Sequence, residues 1–250
     1  MKNYKLIIAF ICFFAVAFGS SPICNYSISP LQMAAIDFKK VHNYYNTNPS
    51  ISVDTYYMAF DDHNSVALRE GKPGCYIKNK TDYYTKILNL ETLCLSDMII
   101  NVDHEDKMIV IGDNQPDEVN PFFANIDSIF YLCSDVNYKN LATGERKYIL
   151  DLSDTEYSEY DKVEVTLDIK NNRINKISFY YRMAMNLTGD YGAEGSQPRL
   201  EIAYKNYRTT IANKYLLEKT AYIQELNDKI MPANKFKAYK VLDQRKKTRI

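Results

Sequence analysis

The chain of 250 residues balances 31 Lys and Arg against 31 Asp and Glu, which argues against nucleic acid as a partner. It holds 22 Tyr and 11 Phe but only 8 Gly and 8 Pro. That composition excludes a fibrous or low-complexity class and is rich in aromatics that favour strands.

The first residues, Met1-Lys2-Asn3-Tyr4-Lys5, form a short basic region, and Leu6 to Phe18 is an uncharged apolar run. Ala17-Phe18-Gly19 then puts small residues at the −3 and −1 positions before Ser20. This three-part pattern predicts a secretory signal over residues 1–19. The run falls short of the ~20 residues that span a bilayer. Cys24 follows Ile23 and Cys12 lies inside the run, so neither fits a lipid-attachment site. The expectation is a soluble mature chain in the periplasm or otherwise outside the cytoplasm, with no transmembrane segment. Loss of Lys2 and Lys5 leaves 29 basic against 31 acidic residues, a net charge near −2.

Four cysteines remain beyond the signal: Cys24, Cys75, Cys94 and Cys133. In an exported chain they permit two disulfides with three pairings, or they act as small buried hydrophobes. Their wide, irregular spacing argues against zinc.

Ser29-Pro30 opens a helical pattern in which Leu31, Ala34, Ala35, Phe38, Val41 and Tyr45 recur at three- and four-residue steps. The helix should fade near Asn46-Thr47-Asn48-Pro49. From Ile51 the period falls to two. Strand candidates are 51–60, 65–70, 75–80, 82–90 and 146–152. The clearest pair is Val163, Val165, Leu167 and Ile169, then Ile177, Phe179, Tyr181, Met183 and Met185, each alternating with polar residues. Leu200, Ile202 and Tyr204 make another. One apolar and one charged face is the mark of antiparallel strands with one side in water. Both apolar sets are odd-numbered, so the hairpin between them should close through an odd loop, most simply Asn171-Asn172-Arg173. The same parity reading sets Met98, Ile100 and Val102 against Met108 and Val110, with a turn over Asp103 to Lys107. Residues 121–134 and 207–232 fit helix or strand. The segment 244–250 is basic and reads as a solvated tail.

No catalytic motif is present. Gly189, Gly192 and Gly195 lie in a loop between strands, not in a dinucleotide fingerprint running into a helix. His63 and His104 sit in charged turns, and His42 lies on the helix. Dispersed acids alone leave a hydrolase as an alternative with no motif behind it. Neither a catalytic residue, a metal nor a cofactor is expected.

Tyr83 to Asp113 (YYTKILNLETLCLSDMIINVDHEDKMIVIGD), the KVEVTLDIKNNRINKISFYYRM hairpin and the PRLEIAYKNY strand follow the signal and helix in order. In this order and in these blocks the chain resembles the LolA/LolB-like family of lipoprotein localisation factors, over roughly 30–205. Tyr222 to Pro232 and Phe236 to Asp243 resemble the closing strands of such chains. The resemblance implies an α+β fold: a curved antiparallel sheet, an incomplete β-barrel, wrapped over the N-terminal helix and other helical segments. It implies one domain over 20–243. The implied function is a non-enzymatic envelope carrier of lipid or lipidated protein, its acyl chains held on an apolar concave face. Val165, Leu167, Ile177, Phe179, Tyr181 and Met183 are the residues expected to line that face. A rival reading is an interaction component of a cell-surface or secretion assembly, with an envelope protein as partner.

Overall fold

The computed structural model of the protein describes residues 28–114, 132–153, 158–185, 195–226 and 229–245. The expected signal, Cys24, most of the ambiguous 121–134 stretch, Gly189, Gly192 and the end of the basic tail lie outside these residues.

Helix α1 (Pro30–Thr47) starts where the sequence places it. The Ser29 hydroxyl accepts from the Gln32 amide at 3.2 Å, and the Gln32 side chain accepts from the Ser29 amide at 3.0 Å. This reciprocal box, with Pro30 in the first turn, satisfies donors the helix cannot. The buried face is Ala34, Asp37, Phe38, Val41 and Tyr45. Leu31 and Ala35, expected on that stripe, are exposed instead.

The strands are β1 (Ser50–Phe60), β2 (Glu70–Asn79), β3 (Asp82–Ile87), β4 (Leu90–Cys94), β5 (Met98–Asp103), β6 (Met108–Asp113), β7 (Cys133–Asn140), β8 (Glu145–Leu152), β9 (Tyr160–Asp168), β10 (Arg173–Tyr181), β11 (Arg199–Arg208), β12 (Ile223–Leu226), β13 (Lys229–Pro232) and β14 (Lys240–Asp243). Twelve form one sheet in the order β14-β6-β5-β4-β3-β2-β1-β11-β10-β9-β8-β7, while β12 and β13 pair separately. Two meanders, β1–β6 and β7–β11, are thus sewn together where β1 pairs β11. The edges β14 and β7 do not pair, so the sheet is open over its helix, as the half-barrel expectation requires. It is not wholly antiparallel: β14 runs parallel to β6.

Several local expectations are corrected. Residues 65–69 are a loop, not a strand; side chains take carbonyls a ladder would need, Arg199 that of Ser65 and the Ser65 hydroxyl that of Ala67. The expected strand 82–90 is two strands, turned at Leu88-Asn89 with Ile87 facing Leu90. Leu88 has φ 54° there, a conformation usually given to Gly or Asn, so the sequence hides the turn. Between β9 and β10 the loop is even, residues 169–172, with Arg173 facing Asp168. A bulge between Ile174 and Lys176 then restores Ile177 opposite Val165; parity is kept by the extra residue in the strand, not in the turn. Between β5 and β6 the parity reading fails outright. Met98, Ile100 and Val102 face Asp113, Ile111 and Ile109, whereas Met108 and Val110 face Asp103 and Asn101. A one-residue change of register moves every side chain to the other side. The described part of 207–232 contains the end of β11, two 3-10 turns and the β12–β13 hairpin.

The sheet separates two cores. On the face toward α1, the helix packs on Ile51, Val53, Tyr148, Leu150, Val163, Val165 and Leu167. On the opposite, outer face, Ile77, Tyr84, Leu93, Ile100 and Ile111 form one cross-strand row. That row lies beneath Ala221, Tyr222, Ile223, Ala233 and Phe236 of the C-terminal segment. No disulfide joins Cys75, Cys94 and Cys133 to one another. Cys94 belongs to the helix-side core and Cys75 packs against the outer one, so the sheet itself keeps those two apart. Burial, then the Asp54 charge, pushes the Cys75 thiol up to about 11; burial and Asp151 do the same to Cys133.

Candidate binding face

Cross-strand neighbours share a face, so the registers say which side chains look toward α1. On β8–β11 these include Val165, Leu167 and Ile177, with relative exposures of 0%, 0% and 6%. They belong to the core that also holds Phe38, Val41 and Tyr45. Phe179 and Tyr181 are half-buried at the edge of this core, where Tyr160 meets both rings at centroid distances of 5.1 and 5.0 Å. Met183 lies beyond the end of β10 and is 71% exposed. Of the six residues expected to line a ligand face, three are therefore packed in the helix-side core, two form its rim and one is outside it.

The helix is pinned to this half by buried charge. Asp37, 3% exposed, accepts from Arg146 Nη1 at 2.6 Å and from the Tyr148 hydroxyl at 2.8 Å. Such a pair is desolvated, and its cost is offset only because each group is hydrogen-bonded. At the other end of α1, Lys78 Nζ donates to the Tyr45 carbonyl at 2.5 Å, a cation at the negative end of the helix. The Tyr45 and Tyr207 hydroxyls lie 2.6 Å apart, and Tyr207 donates to the Ile174 carbonyl at 2.6 Å. Sequence reasoning missed Asp37, which hides among apolar neighbours.

On β3–β6 and β14 the same face continues without the helix. Tyr83 and Cys94 still belong to the helix-side core, with Ile99 packed against it. Beyond them the registers align Ile87, Leu90, Asp103 and Met108 in one row and Thr85, Thr92, Asn101, Val110 and Leu242 in the next. Ile87, Leu90 and Leu242 are 42%, 51% and 46% exposed, and Met108 and Val110 are half-buried. Leu88, at the β3–β4 turn, is 45% exposed. This surface, in which Ile87, Leu90, Met108, Val110 and Leu242 stand among Thr85, Thr92, Asn101 and Asp103, is the candidate site. Parity conceals it, because an odd loop would put Met108 and Val110 on the other side.

The outer face of β8–β11 is also open to water, but it is built differently. Glu164 pairs with Lys147 at 2.6 Å and Lys162 at 3.3 Å. Glu201 pairs with Lys176 at 3.2 Å and Arg199 at 3.1 Å. Burial alone would raise the Glu164 carboxyl, but the hydrogen bond and charge of Lys147, with Lys162, outweigh it and hold it below the usual range. An open cleft of about 600 Å³ on this side is lined by Lys147, Thr166, Asn175, Lys176 and Lys205 among others; its polar floor suits water more than an acyl chain.

His104 holds the C-terminal segment. Its Nε2 donates to Glu91 at 2.9 Å, and its Nδ1 lies 2.8 Å from the Tyr239 hydroxyl. His63 Nε2 donates to the Tyr181 carbonyl at 2.9 Å. Both histidines thus join strands to their neighbours. Among the described residues no group of three or more His, Cys, Asp and Glu is placed to hold a metal, and no helix is long and apolar enough to cross a membrane.

No family model and no curated protein matches the sequence. Solved structures do resemble the fold. An uncharacterized conserved protein from Thermus thermophilus is 11% identical, covering 85% of this chain and 100% of that one, with a TM-score of 0.44. The lipoprotein LppX of Mycobacterium tuberculosis is 6% identical over 70% of this chain and 95% of its own, with a TM-score of 0.35. The chain is also similar to a LolA superfamily protein from Nitrosomonas europaea, 12% identical over 75% of this chain and 98% of that one, with a TM-score of 0.27.

Proposed function

We propose that the protein is an exported, non-enzymatic binding or carrier protein for a lipid or a lipidated protein, whose acyl chains lie on the helix-side face of the sheet. The observation that carries this reading is the contrast between two uncovered faces. The outer face of β8–β11 is a lattice of ion pairs, whereas the helix-side face of β3–β6 presents Ile87, Leu90, Met108 and Val110. A sheet face with no partner and no task is expected to be polar, and large apolar side chains grouped on an open face support an interaction site. The half-buried Phe179, Tyr160 and Tyr181 extend apolar surface along the same side. Methionine at 108 suits ligands of varied shape.

The test is extraction of protein purified from its own envelope, with lipids identified by mass spectrometry, followed by titration with a fluorescent fatty acid. Recovered acyl lipid, and a fatty-acid affinity weakened by Leu90→Lys, are expected. Lipid-free protein that also fails to bind the probe would remove the reading and favour the interaction-component alternative.

A further inference from the structure

The open cleft on the outer face of β8–β11 keeps donors that its ion pairs do not use. The registers align Lys147, Thr166, Lys176 and Ala203 in one row across four strands, and all four residues line the cleft. Thr166 therefore stands between two lysines, each its direct cross-strand neighbour, and the small Ala203 leaves the row low at its far end. Thr166 is 8% exposed, yet its hydroxyl has no hydrogen-bond partner among the described residues. A buried hydroxyl left in this way is costly, and in a folded protein it calls for an explanation.

The backbone is shaped around this floor. The bulge between Ile174 and Lys176 brings Asn175 and Lys176, consecutive in the chain, to the same cleft; bulges re-aim side chains in this way beside sites. The Asn175 amide donates to Glu145 Oε1 at 2.5 Å, and the Thr143 hydroxyl donates to Oε2 at 2.6 Å. Glu145 is the acid among the lining residues, and both of its oxygens already hold a donor.

Three ammonium groups remain. Lys147 holds Glu164 at 2.6 Å and Lys176 holds Glu201 at 3.2 Å, but each carboxylate is shared with a second cation, Lys162 and Arg199 respectively. An ammonium carries three N–H donors, so both lysines retain donors for a ligand. Lys205 also lines the cleft and has no carboxylate partner among the described residues. Asp54, facing it on β1, is taken by Asn206 and Arg208. Acids farther out, Asp151 and Asp168 among them, offset these charges over the face as a whole. The local set of donors, not the net charge of the face, is what selects a ligand here. A carboxylate would offer two oxygens to Thr166 and the three lysines, whereas a phosphate monoester offers three and nearly two negative charges, which ammonium groups bind strongly at close range.

We propose that this cleft binds a phosphate monoester through the Thr166 hydroxyl and the ammonium groups of Lys147, Lys176 and Lys205. The site lies across the sheet from the candidate acyl face and does not depend on it. The test is calorimetric titration of the full chain with glycerol 3-phosphate in phosphate-free buffer, with glycerol and acetate as controls. Saturable binding is expected for glycerol 3-phosphate alone, weakened about tenfold by Lys205→Gln and about fivefold by Thr166→Val. Both variants should melt as the parent does, since neither removes a hydrogen bond or ion pair of the fold. Vesicles of phosphatidylcholine with and without phosphatidic acid separate the two sources of such a group. Co-sedimentation that requires both phosphatidic acid and Lys205 assigns a lipid headgroup; glycerol 3-phosphate binding without it assigns a soluble ester. No binding of either probe, equal binding of acetate, or binding that is indifferent to both variants or weakened as much by Leu90→Lys would overturn the proposal.

Discussion

Each half of the large sheet is covered mainly on one side, and on opposite sides, although Tyr76, Tyr83 and Cys94 of the second half still pack into the core beneath the helix. The β7–β11 half carries α1 on one face; the β2–β6 half carries the C-terminal segment on the other. Each half therefore has one open face. On the first half the open face is charged, with Lys147, Glu164, Lys176 and Glu201 interlocked. On the second it is uncharged over most of its area, with Ile87 and Leu90 in water and Asp103 as the acidic residue of their row. The same chain thus solves the problem of an exposed sheet in one place and leaves it unsolved in another. This difference is what the proposed ligand reading rests on.

The comparison can be broken from either side. The largest effect is expected at Tyr222, which is fully buried against the outer row. Tyr222→Ala should cost about 4 kcal/mol in urea unfolding and raise hydrogen exchange in β5 and β6, leaving β9 and β10 less affected. Uniform loosening of all strands would show that the two halves are one cooperative unit. Asp37→Ala should cost about 3 kcal/mol, since it leaves Arg146 and the Tyr148 hydroxyl without their acceptor; here β8–β10 should lose protection first.

Leu90→Lys should leave stability within about 0.5 kcal/mol of the parent while weakening fatty-acid binding roughly tenfold, about 1.4 kcal/mol. A large loss of stability instead would mean that this face is core and not site. Leu88→Gly should raise stability by about 1 kcal/mol, because glycine adopts the φ of 54° without the steric penalty of a side chain; a lower melting point would indicate that Leu88 packs against something. The smallest effect concerns acid. The Glu164 carboxyl is held below its ordinary value of 4.5, so its contribution is present above that pH and is lost as pH falls through the folded value. Glu164→Gln should flatten that part of the stability–pH profile, and an unchanged acid limb would show that the lattice contributes nothing.

The helix and most strands are legible in the sequence because they rest on short-range signals: Ser29-Pro30, the 3.6 period to Tyr45, and strict alternation over 163–169; the division into two meanders and β7 are not. The candidate face is not legible, for two physical reasons. Alternation tells which residues share a side of one strand but not which side covers the core, and both faces of β6 are apolar: Met108 and Val110 on one, Ile109 and Ile111 on the other. Register then depends on turn and bulge geometry, where Leu88 at positive φ and the bulge at Asn175 give no compositional warning. Val165, Leu167 and Ile177 read as a ligand surface because the alternation of a ligand-facing strand and of a helix-facing strand is the same.

The β1–β11 seam has a consequence for how the chain reaches this state. Thr55 pairs with Tyr204 and Phe60 with Arg199, so the middle of the sheet joins residues far apart in the chain. A chain emerging N-terminus first can zip each meander locally, but the strand at the centre must wait for almost the last strand of the sheet. Such distant pairing is slow because loop closure precedes any gain from contact. Until then both sides of the seam are open edges, the state in which strands pair with the wrong neighbour. The edge exposed longest during folding is therefore that of β1, the strand that is made first among those of the sheet and, by this topology, fully paired late.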